Sequence, residues 1–308
     1  LEANPDSWRA PKDVTKVEYR LIPDKTSRIQ GLISGQLELI TGLHVDDAET
    51  IVAPGVTINV QPNPQVKSIA LPNAIHGPNH PLLDKRVRQA LNYAVDKKSI
   101  SELIMFGHAE VASQGLTPAT FGYNPNLKPY PYDPGKARAL LAEAGYSEGF
   151  SLIAEVVTDS TTPDEFTYQK IAQDIRKIGV EITLRRITYA DYQRKYTLTE
   201  WGDADVFNLI WNNAAFQDPI RAIEYFSCLR VNPFFCEPDL VEDIKASNQE
   251  MNRGKRKAML QGIMARLHDL APAIWITNAV YTTAYSDRIE NFSMRPTGIM
   301  FEELRLRN

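Results

Sequence analysis

At 308 residues the chain is long enough for one large domain or two of ordinary size, and 43% hydrophobic against 23% charged residues is a globular balance. Acids and bases are interspersed to a net charge of −4, which leaves no basic face for nucleic acid, and no apolar run is long enough to span a membrane as a helix. Twenty prolines point to many loops over a rigid frame.

The opening Leu1-Glu2-Ala3-Asn4-Pro5 reads as the end of a strand running into a turn, so the chain is expected to start mid-domain. Residues 14–22, VTKVEYRLI, alternate apolar and polar like a half-buried strand. Pro23-Asp24 signals a helix start, Ile29, Leu32 and Ile33 give its apolar stripe, and Gly35 stops it. Leu37 to Ile40 is a short strand, and Asp46-Asp47-Ala48 begins a short helix ending near Pro54. Val56 to Val60 and Val66 to Leu71 are two more strands, followed by a loop over Pro72 to Pro81.

From Asp84 the pattern turns helical, with Val87, Ala90, Leu91, Ala94 and Val95 on one face. Asp96 caps a second helix whose inner face carries Ile100, Leu103 and Ile104. Asp133-Pro134 through Ala144, then Gly145, has the N-cap, N1 proline and C′ glycine of a complete helix. A strand at Leu152 to Val157, a helix from about Asp164 to Ile178 stopped by Gly179, and strands around Ile182–Leu184 and Val206–Trp211 follow. Two helices, about Asp239–Met251 and Lys255–Leu270, precede a final strand pair at Ala273–Thr277 and Tyr281–Ala284. The strand-helix-strand order predicts an α/β lobe over 73–272. Residues 1–72 and 273–308 are each too short for a sturdy core, so they are expected to pack together as one lobe with 73–272 inserted. The two crossings, near Leu71–Asn73 and Ile274–Asn278, would then serve as a hinge.

Chemistry is sparse. Gly145-Tyr146-Ser147-Glu148-Gly149 matches G-x-S-x-G, but a helix precedes it and a strand follows, the reverse of a nucleophile elbow, so Gly145 is read as a helix C-cap. His76 and His80 sit in a proline-rich loop without zinc-site spacing and read as solvent-facing or cleft-edge residues. The acids between Glu200 and Asp205 read as a solvated turn, and no phosphate-cradling glycine loop occurs. No enzyme, metal or cofactor is expected. Cys228 and Cys236, the only two cysteines, are either a disulfide of an oxidising compartment or two free buried thiols. The stretch Asp205–Cys236 is a buried strand that delivers Trp211, Asn212 and Asn213 to its carboxyl end, either as a ligand-pocket floor or as core with a polar loop; Asp218-Pro219 beyond it is a turn.

LLDKRVRQALNYAVDKKSI and YDPGKARALLAEAGYSEGF closely resemble the hallmark stretch of family 5 extracytoplasmic solute-binding proteins, the peptide, nickel and opine receptors of ABC importers. ANPDSWRAPKDVTKVEYRLIPD and SGQLELI resemble that family's mid-chain entry, and FSCLRVNPFFCEPDLVEDI resembles the cysteine-bracketed segment of its dipeptide branch. The resemblance implies an α/β, two-lobed type II periplasmic-binding-protein architecture, with one lobe intact and the other incomplete in a C-terminal portion of a longer chain. An open sheet edge or exposed apolar surface is therefore expected on the lobe containing 1–72.

The implied function is capture of a small solute (peptide-like, opine or sugar-like) by closure of two lobes, for delivery to a membrane permease. The alternatives are a hydrolase or a non-transport sensor or scaffold of the same fold. A periplasmic or extracytoplasmic address follows from the resemblance, with a lipid anchor if the source is Gram-positive, as does a monomer at full length. Ligand contacts are expected from Trp211, Asn212, Asn213 and Ala214, and a Cys228–Cys236 disulfide behind the pocket. In the peptide branch an Asp shortly after the strand tryptophan takes the ligand's amino group. That place falls on Ala214 or Ala215 here, a departure that argues against free peptides.

Overall fold

The computed structural model describes residues 1–9, 13–157, 164–213, 217–295 and 298–307. They divide into two compact units: Leu1–Asn63 with Val280–Asn308, and Pro64–Ala279.

In the first unit, Asp24 Oδ1 accepts the Ser27 N–H at 2.8 Å and starts α1 (Lys25–Ile33), as the Pro-Asp signal predicts. Gly35 ends it with φ +74°, a conformation that costs a side-chain-bearing residue far more. Strand β1 (Leu39–Ile40) and the single-turn α2 (Asp47–Thr50) follow. The core here is small: Leu32, Ile40, Leu43 and Ala284 are buried together. Residues 14–22 form no strand. Lys16 makes one isolated bridge to Glu2, and Tyr19 and Leu21 stand in solvent. Alternation is a strand signal only where a neighbouring edge and a covering layer exist, and residues 1–3 supply a single bridge. Trp8 is 87% exposed and Leu21 93%, so this unit carries the exposed apolar side chains expected of it.

The two strands expected over 56–71 are one 15-residue strand, β2 (Val56–Ala70). Pro62 and Pro64 each remove a ladder donor, yet the fixed proline φ suits an extended backbone and the strand runs through them.

The second unit opens with α3 (Lys85–Ala94), capped by Asp84, and the short α4 (Lys97–Ser99), capped by Asp96. Here α4 widens into a π turn over Ile100–Ile104, which rotates the following side chains away from the expected face. Ile100 is fully buried, but Leu103 is 72% exposed rather than inward. Helix α5 (Pro134–Glu143) has its Asp133 cap bonded to Lys136 N–H at 2.8 Å, and Gly145 takes φ +88° beyond it. That C-cap conformation and the exposed Ser147 leave no nucleophile elbow.

Strand β3 (Phe150–Val157), α6 (Asp164–Arg176) and β4 (Val180–Ile187) make a parallel βαβ unit. Gly149 and Gly179 open its two strands so close together that a Cβ on Gly149 would lie 1.8 Å from Gly179 O. A ten-residue helix not foreseen, α7 (Tyr189–Leu198), leads to β5 (Val206–Asn212), parallel to β3 on one side and antiparallel to β2 on the other. Helices α8 (Ile220–Tyr225), α9 (Val241–Gln249) and α10 (Arg253–Leu270) follow. The expected final strand pair is again one strand, β6 (Ala273–Ser286).

Sheet order is β6-β2-β5-β3-β4 in the second unit, and β1-β6-β2 in the first; the chain passes between the units inside β2 and β6. The second unit's core is aromatic. Trp201 stacks on Phe207 at 3.6 Å, and Trp211 on Phe226 at 3.9 Å. Arg88, 1% exposed, gives its guanidinium to the carbonyls of Leu82, Leu83 and Leu270, so a buried charge is satisfied by three acceptors of loops and helix ends.

Candidate functional site

The carboxyl end of β5 meets a hollow of about 390 Å³ in the second unit. Trp211 and Asn212 line it, as do Tyr189, Tyr192 and Tyr196 of α7 and Tyr225 of α8. The sequence sets this wall by helical spacing: in YADYQRKY, Tyr189, Tyr192, Gln193 and Tyr196 recur at i, i+3, i+4 and i+7 and share one face. Thr188 starts the helix by accepting the Asp191 N–H at 3.1 Å. Ring centroids run 6.3 Å from Tyr189 to Tyr192, 5.9 Å on to Tyr196 and 5.4 Å on to Tyr225. Burial, with the neighbouring Tyr196 and Tyr189 phenols, pushes Tyr192 well above the ordinary phenol value. Burial, then Tyr225, pushes Tyr196 up to about 12. These phenols therefore stay neutral donors and acceptors over the physiological range.

Trp211 sits deeper than a stacking platform would. Its side chain is 1% exposed, Phe226 covers one face, Trp275 meets it edge-on at 6.2 Å, and Nε1 is buried with no partner among the described residues. Asn212 points outward, while Asn213 is buried and donates to Gly115 O at 3.0 Å. Asn213 Oδ1 has no partner among the described residues. Ala214 and Ala215 lie outside those residues. Asp218 is a turn and ion-pair residue: it accepts the Ile220 N–H at 3.0 Å and both terminal nitrogens of Arg256.

Cys228 and Cys236 are joined, which resolves the sequence's two alternatives. The loop they close is stitched to the segment after β2: Asn73 Oδ1 accepts the Cys236 N–H at 2.8 Å, and Asn73 Nδ2 donates to Cys236 O at 3.2 Å.

A second cluster gathers around Asp205, just before β5. His76 and His80 stack at 3.8 Å, His80 Nε2 lies 2.9 Å from Asp205 Oδ1, and His76 Nε2 lies 3.1 Å from Asp205 O. Asp205 Oδ2 accepts the Ile153 N–H at 2.6 Å, so this acid is a structural node rather than part of a solvated turn. His80 Nδ1 accepts the Leu82 N–H, which places the ring proton on Nε2, toward the carboxylate. A metal on Nε2 would need that proton on Nδ1, facing another N–H, so the cluster as arranged does not suit a cation. Burial, and then His80, drives His76 down to about 4, with Asp205 opposing. Sequence reading named both histidines and Asp205 but did not join them, since the acid lies more than a hundred residues away along the chain.

A family model for bacterial extracellular solute-binding proteins, family 5 middle, matches residues 1–232. Heme-binding protein A of Haemophilus influenzae is 30% identical over 306 residues, covering 96% of this chain and 54% of that protein. Di/tripeptide-binding protein 1 of Pseudomonas aeruginosa is 26% identical, covering 97% of this chain and 56% of that one. The chain thus spans little more than half the length of these curated relatives. Among solved structures, the ABC transporter substrate-binding protein CtaP of Listeria monocytogenes superposes with a TM-score of 0.87 at 20% identity, covering all of this chain and 64% of its own. The fold likeness is to type II periplasmic binding proteins, as expected.

Proposed function

The chain belongs to the family 5 bacterial extracellular solute-binding proteins, and from that premise we propose that it captures a small solute for an ABC importer. The observation that carries this reading is the hollow at the end of β5. An apolar, aromatic wall with a few polar tips is the usual lining of a small-molecule site. Trp211 serves as its buried floor, and Asn212 offers an amide at its edge. Asn213 and Ala214, next in sequence, are proposed as further ligand contacts.

Residues 73–272 are the α/β lobe that holds this site, and 1–72 with 273–308 are part of the other lobe; the compact unit Pro64–Ala279 supports that division. Ligand capture is binding by closure, without catalysis. The ligand favours the closed state by the difference in its affinity for the two states. A peptide-like, opine or sugar-like solute fits neutral phenols and amides. The disulfide supports an extracytoplasmic address, and a membrane permease is the partner that receives the solute.

A thermal-shift screen of the chain against peptides, opines and sugars tests the reading. Stabilisation by members of one class is expected, and stabilisation by none of the three overturns it.

A further inference from the structure

The hollow beside β5 is walled by aromatic and apolar groups with polar tips, and its charge is uneven. Of the described residues lining it, Arg221 is the only one with an ionised side chain; the rest are phenols, amides and apolar groups. Arg221 opens α8 and is exposed, with its guanidinium 5.7 Å from the Tyr225 ring. It makes no hydrogen bond or ion pair with a described residue. The nearby acid Glu224 is engaged elsewhere, accepting from Asn248 Nδ2 at 3.0 Å.

A second guanidinium backs the same wall. Arg230 lies 4.7 Å from the rings of both Tyr196 and Tyr225, and donates to the Tyr196 carbonyl. Four tyrosines in a row could otherwise form a cage for an organic cation. Here two of those rings already face guanidinium groups, and a ligand cation entering beside them would meet like charge with no carboxylate among the described residues lining the hollow. An anion entering the same space would meet the Arg221 guanidinium directly, with the positive charge of Arg230 behind the tyrosine wall.

We propose that this hollow selects solutes that carry a carboxylate on a planar or apolar body, holds the carboxylate on Arg221, and requires no ammonium group. The proposal rests on the solute-binding reading given above. It names the solute class as organic carboxylates whose amino group is absent or blocked.

Three forms of one dipeptide separate the possibilities: N-acetyl-phenylalanyl-leucine (acid only), its C-terminal amide (neutral), and phenylalanyl-leucine amide (amine only). Calorimetric titration of the chain is expected to show the acid binding at least tenfold tighter than either other form. Arg221→Gln, a change at an exposed side chain with unaltered melting as its control, should reduce the acid to the affinity of the neutral form. Equal or tighter binding of the amine, or an acid affinity that survives Arg221→Gln, overturns the proposal. If none of the three binds while another class stabilises the chain in the broader screen, the carboxylate inference falls and the receptor reading stands. A chain that binds nothing in either experiment loses both.

Discussion

Gly115 and Trp211 are packed so tightly that a Cβ built on the glycine would lie 2.0 Å from Trp211 Cε3. The indole therefore has glycine backbone on one side and the Phe226 ring stacked on the other. Gly115→Ala is expected to cost about 2–3 kcal/mol by overpacking, read as a lower denaturant midpoint with unchanged slope. Combined with Trp211→Phe, which removes Cε3 and Cζ3, two of the three nearest atoms, the loss should fall well short of the sum of the two single changes. Strict additivity would mean that the two residues do not touch.

Lys97 is 3% exposed, lies 5.4 Å from the Tyr130 ring and has Asn92 Oδ1 at 3.2 Å. Burial alone drives its amine down to about 7. Between there and the ordinary lysine value the unfolded chain binds the extra proton, so the lysine's penalty is full at and below pH 7 and fades as pH rises toward 10. Lys97→Met should therefore raise stability at pH 7 by about 1–2 kcal/mol, after the lost Asn92 contact is counted. The gain should shrink in melts at pH 9 to 10; a gain that grows with pH would contradict this.

The folded state resists protonation of His76, whose value falls to about 4 from an ordinary 6.5. Stability contributed by the neutral ring is complete above the ordinary value and is lost as pH falls through the window between the two. Melting temperature should drop from pH 7 to pH 4.5, and His76→Asn should flatten that drop. Burial raises Asp205, but the His80 contact and the Ile153 N–H outweigh it and leave the acid below its usual range. Its loss thus comes at still lower pH.

Replacing Cys228 and Cys236 with serine opens a loop of sequence separation 8 and should cost about 2–3 kcal/mol in the chain-entropy account. Because Asn73 is hydrogen-bonded to Cys236, amide exchange should quicken at residues 73–74 as well as within the loop. Faster exchange confined to 228–236 would show that the stitch to Asn73 carries no stability.

The helices with local punctuation were legible in the sequence: Asp84 before α3, and Asp133-Pro134 with Gly145 around α5, act within a few residues of where they are read. Strand lengths were not. Pro62 and Pro64 look like a stop, yet a strand is terminated by the absence of partners, and partners are set far along the chain. Residues 14–22 show the converse, a strand pattern with a single bridge to receive it. For the site, the end of β5 could be named because an apolar run ending in Trp-Asn-Asn is local. The tyrosine wall was missed because α7 has no buried aliphatic stripe; its signal was the Tyr-x-x-Tyr-Gln-x-x-Tyr spacing itself. Arg221 carries no signal in sequence at all, since its place among uncharged lining residues exists only in three dimensions.

The four tryptophans are unevenly wetted: Trp8 stands in water, while Trp201, Trp211 and Trp275 are enclosed. Of these, Trp211 borders the tyrosine hollow and Trp201 lies 5.8 Å from Tyr192. Light absorbed by the tyrosines at such separations passes efficiently to indole. The hollow thus carries its own optical reporter: occupancy changes emission from the enclosed indoles, at the blue edge, while Trp8 on the red edge serves as an internal reference.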